Sequence, residues 1–152
     1  MAKSRKSKTP WLLIIAGALV VGYWWLKQQI DLIQVGSISI PFQKLDGTTL
    51  VLGLKLPIVN ASAIAVNVTG FAGYILTPSG AVLSTVFLNR PAHVARYAQT
   101  ELEFTSNIRA TDLATEIFSI IASGQKLDFK GYRIKGQLRI YGIPLPIESN
   151  LL

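Results

Sequence analysis

The sequence predicts a mainly β fold: an antiparallel, Ig- or fibronectin-like β-sandwich of about seven strands with one short helix, carried behind an N-terminal transmembrane α-helix. Three observations predict it. An uncharged apolar run fills residues 11–26, bracketed by Lys8 and Lys27. From Val35 onward the apolar residues recur with a period of two, as expected of strands with one buried face. Turn signals such as Asp46-Gly47 and Pro78-Ser-Gly80 punctuate that pattern, and only one later stretch returns to helical spacing. The chain divides into a basic tail (1–10), a transmembrane helix (11–27), a connector (28–34) and a β-sandwich domain (35–152).

The tail carries Lys3, Arg5, Lys6 and Lys8 and no acid. The net charge of +7 is therefore uneven: beyond the tail, eleven basic residues face eight acidic ones. Cations just before a spanning helix hold that end inside, so the expected orientation is N-terminus inside and β-domain outside. Lys3, Arg5 and Lys6 are thus topology or headgroup contacts, and the tail is the only segment expected to meet nucleic acid. Pro10 suits the first turn of a helix, where its missing N–H costs nothing. As a helix the apolar run is about 24 Å long, slightly short of the roughly 30 Å hydrocarbon core. All three tryptophans lie at its ends, Trp11 at one and Trp24 and Trp25 beside Tyr23 at the other. Aromatic residues at both interfaces, with Lys8 and Lys27 snorkelling to the headgroups, mark a membrane anchor. A cleaved signal peptide is the alternative, but Lys27-Gln-Gln-Ile-Asp31 offers no small-x-small cleavage pattern, so an uncleaved signal anchor is expected. Ala18 and Gly22 form one small-x-x-x-small pair, which would allow two anchors to pack as a homo-oligomer.

Ile38, Ile40 and Phe42 alternate, and Asp46-Gly47 turns the chain. Leu50, Leu52, Leu54, Leu56 and Ile58 then give the clearest strand, ended by Asn60-Ala-Ser62. Ile64, Val66 and Val68 alternate again, Gly70 and Gly73 suggest a bulge or bend, and the strand resumes through Tyr74-Ile-Leu76. Residues 81–88 return as its hairpin partner, closed by Asn89-Arg-Pro91. Ala98, Thr100, Leu102, Phe104 and Ser106 share one face of the next strand, and Gln99, Glu101, Glu103 and Thr105 the other. Leu113, Ile117, Ile120 and Ile121 predict a helix, capped by Thr111 or Asp112 and ended by a left-handed Gly124. The last long strand is expected from about Asp128, with Tyr132, Ile134, Leu138 and Ile140 inward; Gly142 breaks it before a proline-containing edge segment at 143–147.

Several of these features together resemble the late embryogenesis abundant type 2 domain, also called the water-stress and hypersensitive-response (WHy) domain. They are the strand at 50–59 ending in Asn60, the helix at 113–122 and the run Tyr132-Arg-Ile-Lys-Gly-Gln-Leu-Arg-Ile-Tyr-Gly-Ile-Pro-Leu-Pro146. The resemblance spans roughly residues 33–150. It departs from the family where an Asn-Pro pair is typical, since Ala61 follows Asn60. It implies a fibronectin-like sandwich, often behind a single membrane helix, and no catalytic residues. The roles it implies range over stress protection, membrane-associated signalling and lipid handling.

Chemistry-bearing patterns are sparse. Without cysteine there is no disulfide framework, thiolate chemistry or thiolate-held metal. The single histidine, His93, lies between Arg90 and Arg96 and has no adjacent carboxylate, so it reads as a loop or strand-edge residue. Glu101 and Glu103 read as a solvated strand face. No catalytic, metal or cofactor residue is assigned. Asn60-Ala-Ser62 and Asn67-Val-Thr69 have the glycosylation pattern. Lys130, Arg133, Lys135 and Arg139, with Lys126 nearby, form a basic stretch opposed only by Asp128. It reads either as a surface for an acidic partner or as an outer strand kept soluble by cations. The expected function is structural: a membrane-anchored domain that binds protein at a cell envelope, or ties membrane to capsid in a lipid-containing virion. The rival is lipid binding, which predicts an apolar cavity between the sheets where a scaffold predicts a filled core. An enzyme would need a cleft collecting acids, His93 or tyrosine hydroxyls.

Overall fold

The computed structural model describes residues 9–112 and 115–152. Helix α1 (Thr9–Asp31) leads into β1 (Ile33–Val35), β2 (Ser39–Asp46), β3 (Thr49–Asn60), β4 (Val66–Leu76), β5 (Val82–Leu88), β6 (Ala92–Val94) and β7 (Ala98–Arg109). A 3-10 turn (Ala110–Asp112) and α2 (Thr115–Ala122) follow, then β8 (Arg133–Ile140) and β9 (Ile143–Asn150). The domain is mainly β and antiparallel, as the alternation predicts. Its strands form one sheet in the order β1-β3-β7-β5-β4-β8-β9, with β2 on β3 and β6 on β4. The two halves of the sandwich are joined through β5, which pairs with β4 on one side and β7 on the other. The sheet nearly closes where Ile38 bridges Leu151 in parallel and the Leu152 N–H donates to the Ile38 carbonyl at 3.1 Å.

β3 is the spine. Its even-numbered residues from Leu50 to Ile58 are all buried, and it pairs along its whole length with β7. Burial of each such side chain contributes about 1.5–3 kcal/mol. The expected turns are present: Gly47, Gly80 and Gly124 all have positive φ. The register of β4 against β8 shifts between Val68 and Gly70, the bulge that Gly70 predicts.

Some boundaries differ from expectation. Among the described residues nine strands replace about seven, because the three-residue β1 and β6 carry too few positions to show a period. His93 lies within β6, where its Nδ1 and the Asn67 Oδ1 share a hydrogen bond of 2.7 Å. Phe42 does not join Ile38 inside; the register shifts between Ser39 and Phe42, and Phe42 lies exposed over Gly53. β8 begins at Arg133 rather than near Asp128, since residues 125–132 form a loop pinned to β2. Its Leu127 exchanges two hydrogen bonds with the Gln43 side chain, at 3.0 and 3.1 Å. The connector at 28–34 is occupied by the last turn of α1 and by β1. Of the expected helix residues, Leu113 lies outside the described residues, and Ile121 is buried.

Two interior devices hold the halves together. Gly73 and Gly136 face each other across β4 and β8. A Cβ on either would come within 2.4–2.5 Å of the Phe71 ring, which fills the space both glycines leave. That ring meets Phe104 of β7 edge-on, with centroids 5.0 Å apart, an arrangement favoured by the aromatic quadrupole. The second device is polar. Asn60 and Ser62 are both fully buried. The Asn60 Nδ2 donates to the carbonyls of Ile64, Val94 and Ala95 at 2.8–3.3 Å. Its Oδ1 accepts from the Ser62 N–H and Oγ at 3.0 and 2.6 Å. A glycan on Asn60 is incompatible with this burial.

Both devices can be tested by urea unfolding of the full chain in detergent micelles. Phe71→Ala removes the ring that spans the glycine pair and is expected to lower stability by about 3–5 kcal/mol. Asn60→Ala removes the partner of the buried Ser62 N–H and of the Val94 and Ala95 carbonyls, while the Ser62 hydroxyl keeps the Ile64 carbonyl, and is expected to lower it by about 2–4 kcal/mol; a change below about 0.5 kcal/mol would mean that these groups find water instead.

Candidate functional site

The first candidate surface is α1 itself. Its 23 residues span about 35 Å. From Trp11 to Trp25 every side chain is exposed, so no part of the β-domain covers the apolar run. The helix is long and apolar enough to cross a membrane. Trp11 and Trp24 are separated by about 20 Å along the axis. Tyr23, Trp24 and Trp25, being consecutive, radiate around the helix, and Lys27 is exposed just beyond them. Lys3, Arg5, Lys6 and Lys8 lie outside the described residues.

The character of α1 changes within one turn. Leu26 is partly buried and Ile30 is only 1% exposed, packed in the same core as Ile33 and Ile143. The Gln29 Oε1 accepts the backbone N–H of Ala63 at 3.2 Å, tying the helix to the loop that Asn60 and Ser62 organise. The helix thus enters the domain as one of its packed elements.

The second surface is the outward face of β8. Arg133, Lys135, Gln137 and Arg139 project from it over about 20 Å. β8 is not an edge strand, because β4 and β9 flank it. The hairpin register brings acid to this face: Glu148 of β9 lies opposite Lys135, and its Oε1 accepts from the Arg133 Nη1 at 2.7 Å. Both partners are close to half exposed, so the pair contributes about 0–1 kcal/mol. Lys130, Lys135 and Arg139 have no ion-pair partner among the described residues. Lys130 stands in the preceding loop, where its backbone N–H donates to the Asp128 Oδ1. A shallow open groove of about 390 Å³ lies on this face, lined by Ala72, Tyr74, Lys135, Gln137, Pro146 and Glu148. Glu148 is not among the site residues expected from sequence, although counting back across the two-residue turn at Tyr141-Gly142 puts it opposite Lys135.

Other groups are engaged structurally. Glu101 pairs with Lys55 at 3.3 Å and Glu103 with Arg90 at 3.6 Å. Among the described residues, no cluster of three or more His, Asp or Glu is arranged to hold a metal. The residues between the halves, including Ile38, Leu56, Phe71, Val86 and Phe104, enclose no cavity able to admit a water molecule.

No protein-family model matches the chain, and no curated protein matches it. Among solved structures it is similar to a protein from Archaeoglobus fulgidus, with 17% identity over 76% of this chain and 90% of that one, at a TM-score of 0.53. It is also similar to a FixG-related protein from Vibrio parahaemolyticus, with 9% identity over 80% of this chain and 96% of that one, at a TM-score of 0.44. The archaeal protein shares the fold of the β-domain.

Proposed function

We propose that this chain is a single-pass membrane protein that presents its β-domain outside the bilayer as a structural, protein-binding module. The setting is a cell envelope, or a membrane-containing virion in which the domain ties membrane to capsid. One observation carries the reading: α1 is bare over its apolar run, yet its last turn belongs to the domain core. A bare run of this hydropathy is stable in lipid and not in water. A buried last turn makes cleavage after the apolar run costly, because Ile30 would be left at a new, fraying terminus. That favours an anchor over a removable leader.

The filled interior favours a binding surface over a lipid-holding cavity. It leaves the β8 face and its groove as the contact surface for an acidic protein partner. The resemblance to the late embryogenesis abundant type 2 domain fits the same arrangement of membrane helix and sandwich.

Two measurements test this reading. In membranes from the native source, the full chain is expected to remain in the pellet through alkaline carbonate and to leave only with detergent. Release by carbonate would contradict the anchor. For the second surface, a photo-crosslinker at Gln137 is expected to capture an acidic protein. Lys135→Glu with Arg139→Glu should abolish that adduct while leaving membrane insertion intact. An undiminished adduct would show that charge on this face does not select the partner.

A further inference from the structure

We infer that the end of the β-domain around α1 is a membrane-seating surface, resting in the headgroup layer of the bilayer that α1 crosses. The inference rests on the anchor reading above and adds to it where the domain sits. It follows first from length. The uncharged run of residues 11–26 is about 24 Å long against a hydrocarbon core of roughly 30 Å, so there is no apolar slack to lift the domain away. The helix then has no free linker. Gln29, which holds the Ala63 N–H, lies four residues beyond Trp25, about 6 Å further along the axis. The headgroup layer on each side is itself about 5–7 Å thick. With Trp25 at its lower boundary, the loop at 61–65 lies within it.

The same end gathers residues suited to that depth. Ile33 pairs with Asn60 and Asn60 with Ala98, so Tyr97 stands beside the helix exit. The Tyr141 hydroxyl donates to the Ala65 carbonyl at 2.9 Å, which places the β8–β9 turn against the same loop. Tyr97 and Tyr141 are the two non-glycine residues with positive φ, at 53° and 50°, among the described residues. A bulky side chain in that region is an outlier, tolerated where something other than backbone preference selects it. Tyr97 is 71% exposed and Tyr141 49% exposed. Exposed Leu32, Arg96 and Lys27 lie in the same neighbourhood, with Asp31 the acid beside them. Tyrosine with flanking cations is the composition that membrane interfaces favour.

The test uses the absence of cysteine from the sequence. Single cysteines replace Tyr97, Ala63, Ser79 at the opposite hairpin, and Leu19 within the apolar run. Each variant of the full chain carries an environment-sensitive fluorophore and is reconstituted in phosphatidylcholine–phosphatidylglycerol vesicles. Spin-labelled lipids bear the quencher either at the headgroup or deep in the acyl chain. The expected result is loss of emission at 97 and 63 with the headgroup quencher, loss at 19 with the deep quencher, and no loss at 79. Ala63→Cys keeps the backbone bond to Gln29, so it reports even if replacing Tyr97 disturbs its loop. If position 19 is quenched while 63 and 97 remain as unquenched as 79, the domain stands clear of the membrane and the seating inference is overturned. If position 19 is not quenched either, the anchor reading itself fails.

Discussion

The burial of Ile30 is the contact on which the rest of the arrangement depends. It converts an apolar helix and a β-domain, which the sequence presents as two units, into one mechanical body. Without it, residues 27–32 would be a short tether, and the domain's height and orientation would be free. With it, the direction of α1 is set relative to the domain, and under the proposed anchoring that direction decides which end of the domain faces the bilayer. The supporting bonds are local to the same place. Gln29 holds the loop at Ala63, Asn60 and Ser62 stiffen that loop from inside, and the Asn60 amide reaches across to the Val94 and Ala95 carbonyls at the end of β6. A buried asparagine is expensive unless its donors and acceptors are satisfied, and here both the Nδ2 and the Oδ1 have partners. The polar hub therefore stabilises the end of the domain against which the helix packs.

Much of the fold is legible in the sequence because the strongest signals are local. The alternation at Leu50–Ile58 is a strand signature that needs no knowledge of the partner, and the sorting of Trp11, Trp24 and Trp25 to the ends of an uncharged run is a composition signal. Gly47, Gly80 and Gly124 sit where their φ is positive. What the sequence does not disclose depends on pairing between distant residues. Phe71 covers Gly73 and Gly136 only because β4 and β8 meet in one register across more than sixty intervening positions. Asn60 is recognisable as the end of a strand, but its partners at Val94 and Ala95 lie 34 and 35 residues away. Phe42 alternates with Ile38 and Ile40 yet lies outside, because a register shift reverses the facing of β2 midway.

The candidate surfaces divide along the same line. Arg133, Lys135 and Arg139 do share one face, as period two requires, and so form a basic stripe. The stripe is weaker than the sequence implies, since Glu148 arrives from the neighbouring strand and engages Arg133. Nothing in the sequence singles out Tyr97 and Tyr141. Their backbone conformation has no sequence signature when the residue is tyrosine rather than glycine or asparagine.

The central claim, that α1 and the β-domain form one continuous body, is tested most directly by hydrogen exchange on the full chain in lipid nanodiscs. The amides of residues 28–31 are expected to exchange as slowly as those of the apolar run before them and of the β3 spine. The result that would contradict the claim is slow exchange up to Leu26 followed by rapid exchange through Asp31, the pattern of an anchor joined to its domain by a loose tether.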